Sequence, residues 1–207
     1  MDNKGWFGLT DVQGFFANQN VNVVSPIGGQ YSYYTDWVAD DPALGRNKWQ
    51  TYLTQELPPL INQELNADGR NAVGGLSMSG GSALDLAIQA PGLYRAAGSY
   101  SGCPATSDPN QANQIALSLI PSGANAANMW GPLGGPDWVA HDPSKNAAKL
   151  RVSGCTRLRR RARWAPSTTC RRTSRRPSAA RSWRASPGTA PSSSRMPRPP
   201  PVSRSSW

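Results

Sequence analysis

An α/β fold with a mostly parallel sheet, followed by a tail of different character, is predicted by three features of this 207-residue sequence. Short apolar runs alternate with helical periodicity over residues 1–150, the pattern of βα units. Within that span a strand-like run, the turn Gly75-Leu76-Ser77-Met78-Ser79 and an Ala/Leu/Ile-rich stretch follow one another directly. At Leu150 the composition breaks: residues 1–150 hold 7 basic and all 12 acidic residues, net −5, whereas residues 151–207 hold 15 Arg and no acid, net +15.

The elements follow in order. Val21-Asn22-Val23-Val24-Ser25 is a β-branched run stopped by Pro26 and Gly28-Gly29, so it reads as a strand delivering a loop. Trp49, Tyr52, Leu53, Leu57, Leu60, Ile61 and Leu65 recur on one helical face, and Pro58-Pro59 should kink or interrupt that helix. Asn71-Ala72-Val73-Gly74 reads as a second strand, residues 79–90 as a helix ended by Pro91-Gly92, and Arg95-Ala96-Ala97-Gly98-Ser99-Tyr100 as a third, weaker strand.

From Arg151 onward, 35 of 57 residues are Arg, Ser or Pro. Such a segment buries too little apolar surface to offset about 1–2 kcal/mol of backbone entropy per ordered residue, so residues 151–207 read as a disordered tail. Its vocabulary of Arg, Ser, Pro and Ala is what a GC-rich coding sequence yields out of frame, so the tail reads as out-of-frame sequence. The alternative is a genuine basic arm on a non-enzymatic α/β scaffold, with Arg159-Arg160-Arg161 and Arg171-Arg172 binding a nucleic acid or another polyanion. Cys103, Cys155 and Cys170 offer neither metal-ligand spacing nor a disulfide framework, so no metal and no cofactor are expected. No run of 18 apolar residues and no apolar segment after Met1-Asp2-Asn3-Lys4 suggest a transmembrane helix or a signal peptide.

The chemistry sits at residues 75–79. A serine at the tip of a strand–turn–helix is the context that gives a G-x-S-x-G-like pentapeptide meaning, although Ser79 replaces the second Gly. Ser77 is the candidate nucleophile, and the Met78 backbone N–H, at the start of the helix, is a candidate oxyanion donor. Other residues read blandly. Trp6, Trp37, Trp49 and Trp130 are expected in the core, Asp36 as a turn acceptor and Cys103 as a small packed residue. Asp85, eight residues after Ser77, should be carried away from the turn, and His141 should be a surface or capping residue rather than a base.

The ordered landmarks Gly5-Trp6, Pro26-Ile27-Gly28-Gly29-Gln30, Tyr33-Tyr34-Thr35-Asp36-Trp37, residues 48–58 (KWQTYLTQELP), Gly75-Leu76-Ser77-Met78, Ser99-Tyr100-Ser101-Gly102, Met129-Trp130-Gly131 and Asp142-Pro143 resemble the trehalose mycolyltransferase esterases of the α/β-hydrolase superfamily. The resemblance implies a partial α/β-hydrolase fold over residues 1–150. It further implies transfer of mycolyl-type acyl groups among trehalose esters through an acyl-Ser77 intermediate. Lipid acyl donors and acceptors would be the partners, with no nucleic acid and no cofactor, and the setting would be secreted or cell-envelope. In that family the triad acid and histidine lie beyond the position of Leu150, and a strand and loop before Gly5-Trp6 supply the second oxyanion donor and an Asp/Arg pair for the sugar. The chain is therefore expected to be truncated at its start, frame-lost after residue 150, and inactive as it stands.

Overall fold

The computed structural model describes residues 5–152 and 154–158. Two short helices, α1 (Trp6–Leu9) and α2 (Val12–Phe16), lead into a long stretch without regular structure. The strand expected at residues 21–25 is not formed. The segment pairs with no strand among the described residues, and its valines stand exposed, Val21 at 54%. A β-branched run forms a ladder only where a neighbour supplies the other half of its hydrogen bonds.

Lys48 begins the helical stretch predicted by periodicity, and Asp36 marks its start by accepting from the Thr51 N–H at 3.1 Å and its hydroxyl at 2.6 Å. The proline pair does not break the winding. Helix α3 (Trp49–Thr51) widens into one π-helical turn (Tyr52–Glu56) and continues as α4 (Leu57–Glu64). The Leu57 N–H returns to the Tyr52 carbonyl, five residues back. In that register the Leu53 carbonyl would receive the N–H of residue 58, which is Pro58 and has none. The Tyr94 hydroxyl takes its place, donating to the Leu53 carbonyl at 3.1 Å.

The sheet has three parallel strands in the order β1 (Asn71–Leu76), β2 (Tyr94–Tyr100), β3 (Gly154–Leu158). Between β1 and β2 runs the longest helix, α5 (Met78–Gln89), as the βα pattern predicts. The sheet continues past Leu150. Backbone pairing of Ala96 with Gly154 through Tyr100 with Leu158 corrects the start of the tail expected from Arg151; residues 159–207, with the arginine runs named above, lie outside the described residues.

Helices α6 (Pro109–Leu119), α7 (Ala127–Trp130) and α8 (Pro136–Ala140) complete the fold. One core cluster gathers Trp37, Ile115, Leu119, Met129, Trp130 and Trp138; the other, under the sheet, gathers Leu84, Leu86, Ala87, Tyr94 and Ala97. Of the four tryptophans expected in the core, Trp37 and Trp130 are there, whereas Trp6 packs edge-on to Tyr100 and Trp49 edge-on to Tyr34 and Tyr52, both half-buried. The 41–45 loop is fixed by Asp41. Its carboxylate accepts from the Ala43, Leu44 and Asn125 N–H groups and from the Asn128 amide, and although burial alone would raise its pKa, these donors hold it below the usual carboxylate value.

Helix α5 lies unusually close to the chain that follows β2. A Cβ at Gly102 would sit 2.5 Å from the Gly80 carbonyl carbon and from the Gly81 nitrogen, and a Cβ at Gly80 would sit 2.8 Å from the Gly102 Cα. The neighbours are backbone, so the contact leaves no side chain to rotate away. Gly102→Ala should therefore destabilise by about 1–3 kcal/mol or more in denaturant unfolding, the range for overpacking; an unchanged midpoint would show that α5 can shift freely.

Tyr94 gives a second prediction. Burial pushes its hydroxyl up to about 12, from an ordinary value of 10.0. The folded chain then holds the proton more tightly than the unfolded one. The associated stability is complete below pH 10 and falls as pH rises toward 12. Tyr94→Phe should leave the Leu53 carbonyl unpaired, lowering stability at neutral pH by about 1–3 kcal/mol, and should remove this share of the alkaline decline. A variant as stable as the parent at neutral pH would contradict the role given to this hydrogen bond.

Candidate active site

Strand β1 ends at Leu76 and α5 begins at Met78, so a single residue, Ser77, makes the whole turn. Its backbone stands at φ 57° and ψ −118°, a region that side-chain-bearing residues avoid at a cost of about 1–3 kcal/mol. Three contacts hold it there. The Ser77 N–H donates to the Tyr100 carbonyl at 2.9 Å, tying the turn to the end of β2, and its own carbonyl accepts from the Gly80 N–H at 2.9 Å. The Ser79 hydroxyl accepts from the Leu76 N–H and donates to the Leu76 carbonyl, both at 2.9 Å, and thereby closes the strand end onto the first helical turn.

The position two residues before the serine must be glycine. A Cβ at Gly75 would fall 1.9 Å from the Ser79 carbonyl oxygen, a distance no rotamer change could relieve. The serine in the place of the second glycine is therefore accounted for: position 79 uses its hydroxyl as the staple, and the crowding is felt at position 75.

The Ser77 hydroxyl makes no capping bond to α5, and the residue is exposed. Met78 is the first residue of a twelve-residue helix, so its N–H has no acceptor within that helix, and the positive end of the helix lies at the serine. Arranged in this way, a hydroxyl and an oriented N–H can form an acyl ester and stabilise the oxyanion that precedes it, given a base to take the hydroxyl proton.

Ser77 and Met78 open on a cavity of about 330 Å³ that also reaches Tyr33, Cys103, Trp130 and His141. The structure changes the readings of Cys103 and of the His141 side chain. Cys103 is exposed and lines this cavity, so it is not a packed residue. Asp85, eight residues beyond Ser77 on α5, also lines this cavity. His141 is the C-cap of α8, its backbone N–H returning to the Asp137 carbonyl at 2.9 Å, but its side chain is not a surface group: Nδ1 lies 2.8 Å from Asp85 Oδ2, the two side chains being 18% and 8% exposed. Its ring is stacked on Trp130, with centroids 4.9 Å apart and planes 9° from parallel.

The sequence held one signal for this pairing. Asp85 interrupts the apolar stretch Ala83-Leu84-Asp85-Leu86-Ala87-Ile88, and a carboxylate in such a place requires a partner. The partner lies 56 residues away, at the end of α8. Asp85 is eight residues, or about 12 Å of helix rise, along α5 from the turn.

Among the described residues no group of acidic, histidine or cysteine side chains could hold a metal ion, and no helix is long and apolar enough to cross a membrane.

Comparison with known proteins places this geometry. Residues 2–158 match the family described as Putative esterase. The chain is 38% identical over 165 residues to the diacylglycerol acyltransferase/mycolyltransferase Ag85A of Mycobacterium leprae, covering 76% of this chain and 49% of that protein. It is 41% identical over 168 residues to the Ag85A of Mycobacterium gordonae (76% and 47%) and 39% identical over 163 residues to the Ag85C of Mycobacterium avium (76% and 46%). The chain thus spans about half the length of the curated relatives it matches. Among solved structures it is similar to MPT51 (FbpC1) of Mycobacterium tuberculosis, with a TM-score of 0.64, 32% sequence identity, and coverage of 70% of this chain and 54% of that one. The fold is the α/β-hydrolase fold expected from the sequence, and the family match runs from residue 2 to the end of β3, through the strained serine and its parallel strands. The chain belongs to the esterase family.

Proposed function

We propose that the esterase domain of this chain carries acyl transfer, with Ser77 as the residue that bears the acyl group and the Met78 N–H as one oxyanion donor. The observation that supports this reading best is the backbone of Ser77 at φ 57° and ψ −118°, a strained conformation maintained by Gly75, Ser79 and the Tyr100 carbonyl. Strain of this kind concentrates at functional turns. The similarity to diacylglycerol acyltransferase/mycolyltransferases suggests the chemistry: a mycolyl-type acyl group passing from a lipid ester to Ser77 and then to a trehalose or glyceride hydroxyl, in a secreted or cell-envelope setting.

Nucleophilic attack by Ser77 needs a base. The chain has one histidine, His141, and its Nδ1 is engaged by Asp85, which stands about 12 Å of helix rise from the turn. The 207-residue chain is accordingly proposed to be a poor catalyst by itself, since loss of a triad histidine lowers turnover on the order of a million-fold in serine hydrolases.

A fluorophosphonate probe should label the chain only slowly. Joining residues 1–158 to the C-terminal half of one of the Ag85 relatives should raise labelling, ester hydrolysis and acyl transfer to trehalose by several orders of magnitude, and Ser77→Ala should abolish all three. Activity that survives Ser77→Ala would overturn the assignment of the nucleophile.

A further inference from the structure

His141 is bound in a way that uses only half of its ring. Both Asp85 oxygens are engaged, Oδ2 by His141 Nδ1 at 2.8 Å and Oδ1 by the Gln89 amide at 3.1 Å. The same Gln89 amide donates to the Ala140 carbonyl at 3.0 Å, so the pair also clamps the end of α8 to α5. That clamp accounts for Nδ1 and the carboxylate. It does not account for Nε2. Among the described residues the ring contacts of His141 are the Asp85 bond and the Trp130 stack, and the residue lines the Ser77 cavity. A carboxylate accepts, so Nδ1 carries the proton, and in the neutral ring Nε2 is a lone-pair acceptor. Stacking on Trp130 fixes the ring plane, so the acceptor is held in place before a ligand arrives.

We propose that His141, oriented by Asp85, is a specificity-determining residue that accepts a hydrogen bond from a substrate hydroxyl lying about two helical turns from Ser77. This rests on the reading of Ser77 as the acyl-bearing residue, because Asp85 stands about 12 Å along α5 from it. The cavity, at about 330 Å³, lies within the size range of small-molecule sites. Tyr31, Tyr33, Ile115 and Trp130 share its lining with Ser82, Thr106 and Ser118, whose hydroxyls already donate to backbone carbonyls, so a fixed free acceptor there discriminates between a chain that carries a hydroxyl at that distance and one that does not. The hydroxyl can belong to a hydroxylated acyl chain or to a polyol acceptor.

A single histidine makes the test direct, since a long-range ¹H–¹⁵N spectrum of the ¹⁵N-labelled 207-residue chain contains one imidazole. With Nδ1 donating to Asp85, the free chain should show protonated Nδ1 and unprotonated Nε2. Asp85→Asn should weaken that preference. Methyl 8-hydroxyoctanoate should bind about tenfold more tightly than methyl octanoate and shift Nε2 upfield, whereas methyl octanoate should leave Nε2 in place. Trehalose forms the second arm: a shift with trehalose alone assigns the hydroxyl to the acceptor, and a shift with the hydroxyoctanoate alone assigns it to the acyl chain. His141→Phe keeps an aromatic ring for Trp130 and should equalise the two esters. Should that variant fail to fold, the Nε2 response of the unaltered chain decides.

An Nε2 signal unmoved by every ligand, with equal affinities for the two esters, overturns the proposal. Ser77→Ala should leave the hydroxyl preference intact. Loss of acyl transfer chemistry at Ser77 and loss of hydroxyl selection at His141 are thus separate outcomes.

Discussion

The close approach of three backbones governs this structure. Strand β1, the start of α5 and the turn after β2 meet at Gly75, Gly80 and Gly102, where an added Cβ would fall 1.9–2.8 Å from neighbouring backbone atoms. Only this proximity lets the Tyr100 carbonyl receive the Ser77 N–H and the Ser79 hydroxyl close on Leu76. Those bonds in turn hold Ser77 in its strained conformation. The position of the hydroxyl, the direction of the Met78 N–H and the mouth of the cavity all follow from that one packing constraint.

Much of this was legible in the sequence because it is local. The order of strand, Gly-Leu-Ser-Met-Ser and helix lies within 20 residues, and the structure places β1, α5 and β2 within a residue or two of the expected bounds. The Val21 run failed for the opposite reason, since β-branched residues announce a strand but a ladder is a property of two segments. Pro58-Pro59 was half legible. Missing donors were evident from the sequence, but the π-helical turn that absorbs them depends on the Tyr94 hydroxyl reaching the Leu53 carbonyl across 41 residues.

The cavity shows the same division. Ser77 and Met78 are found by a motif, whereas Asp85 and His141 meet only because α8 folds back onto α5 through the Gln89 amide and the Ala140 carbonyl. A buried carboxylate in an apolar helix predicts that a partner exists without naming it. Similarly, the strand at Gly154–Leu158 lies in a segment whose composition argues for disorder, and its backbone pairs with β2 because a parallel edge was available there.

Ser77 is held in strain by its surroundings, and the difference between the unfolding free energies of Ser77→Gly and Ser77→Ala measures that strain. Neither variant has a hydroxyl, so the difference between them reports the backbone alone. Glycine populates positive φ freely, and alanine does not. Strain maintained by the glycine packing predicts that the glycine variant is the more stable of the two by about 1 kcal/mol or more. An alanine variant equal to or more stable than the glycine variant would contradict the account.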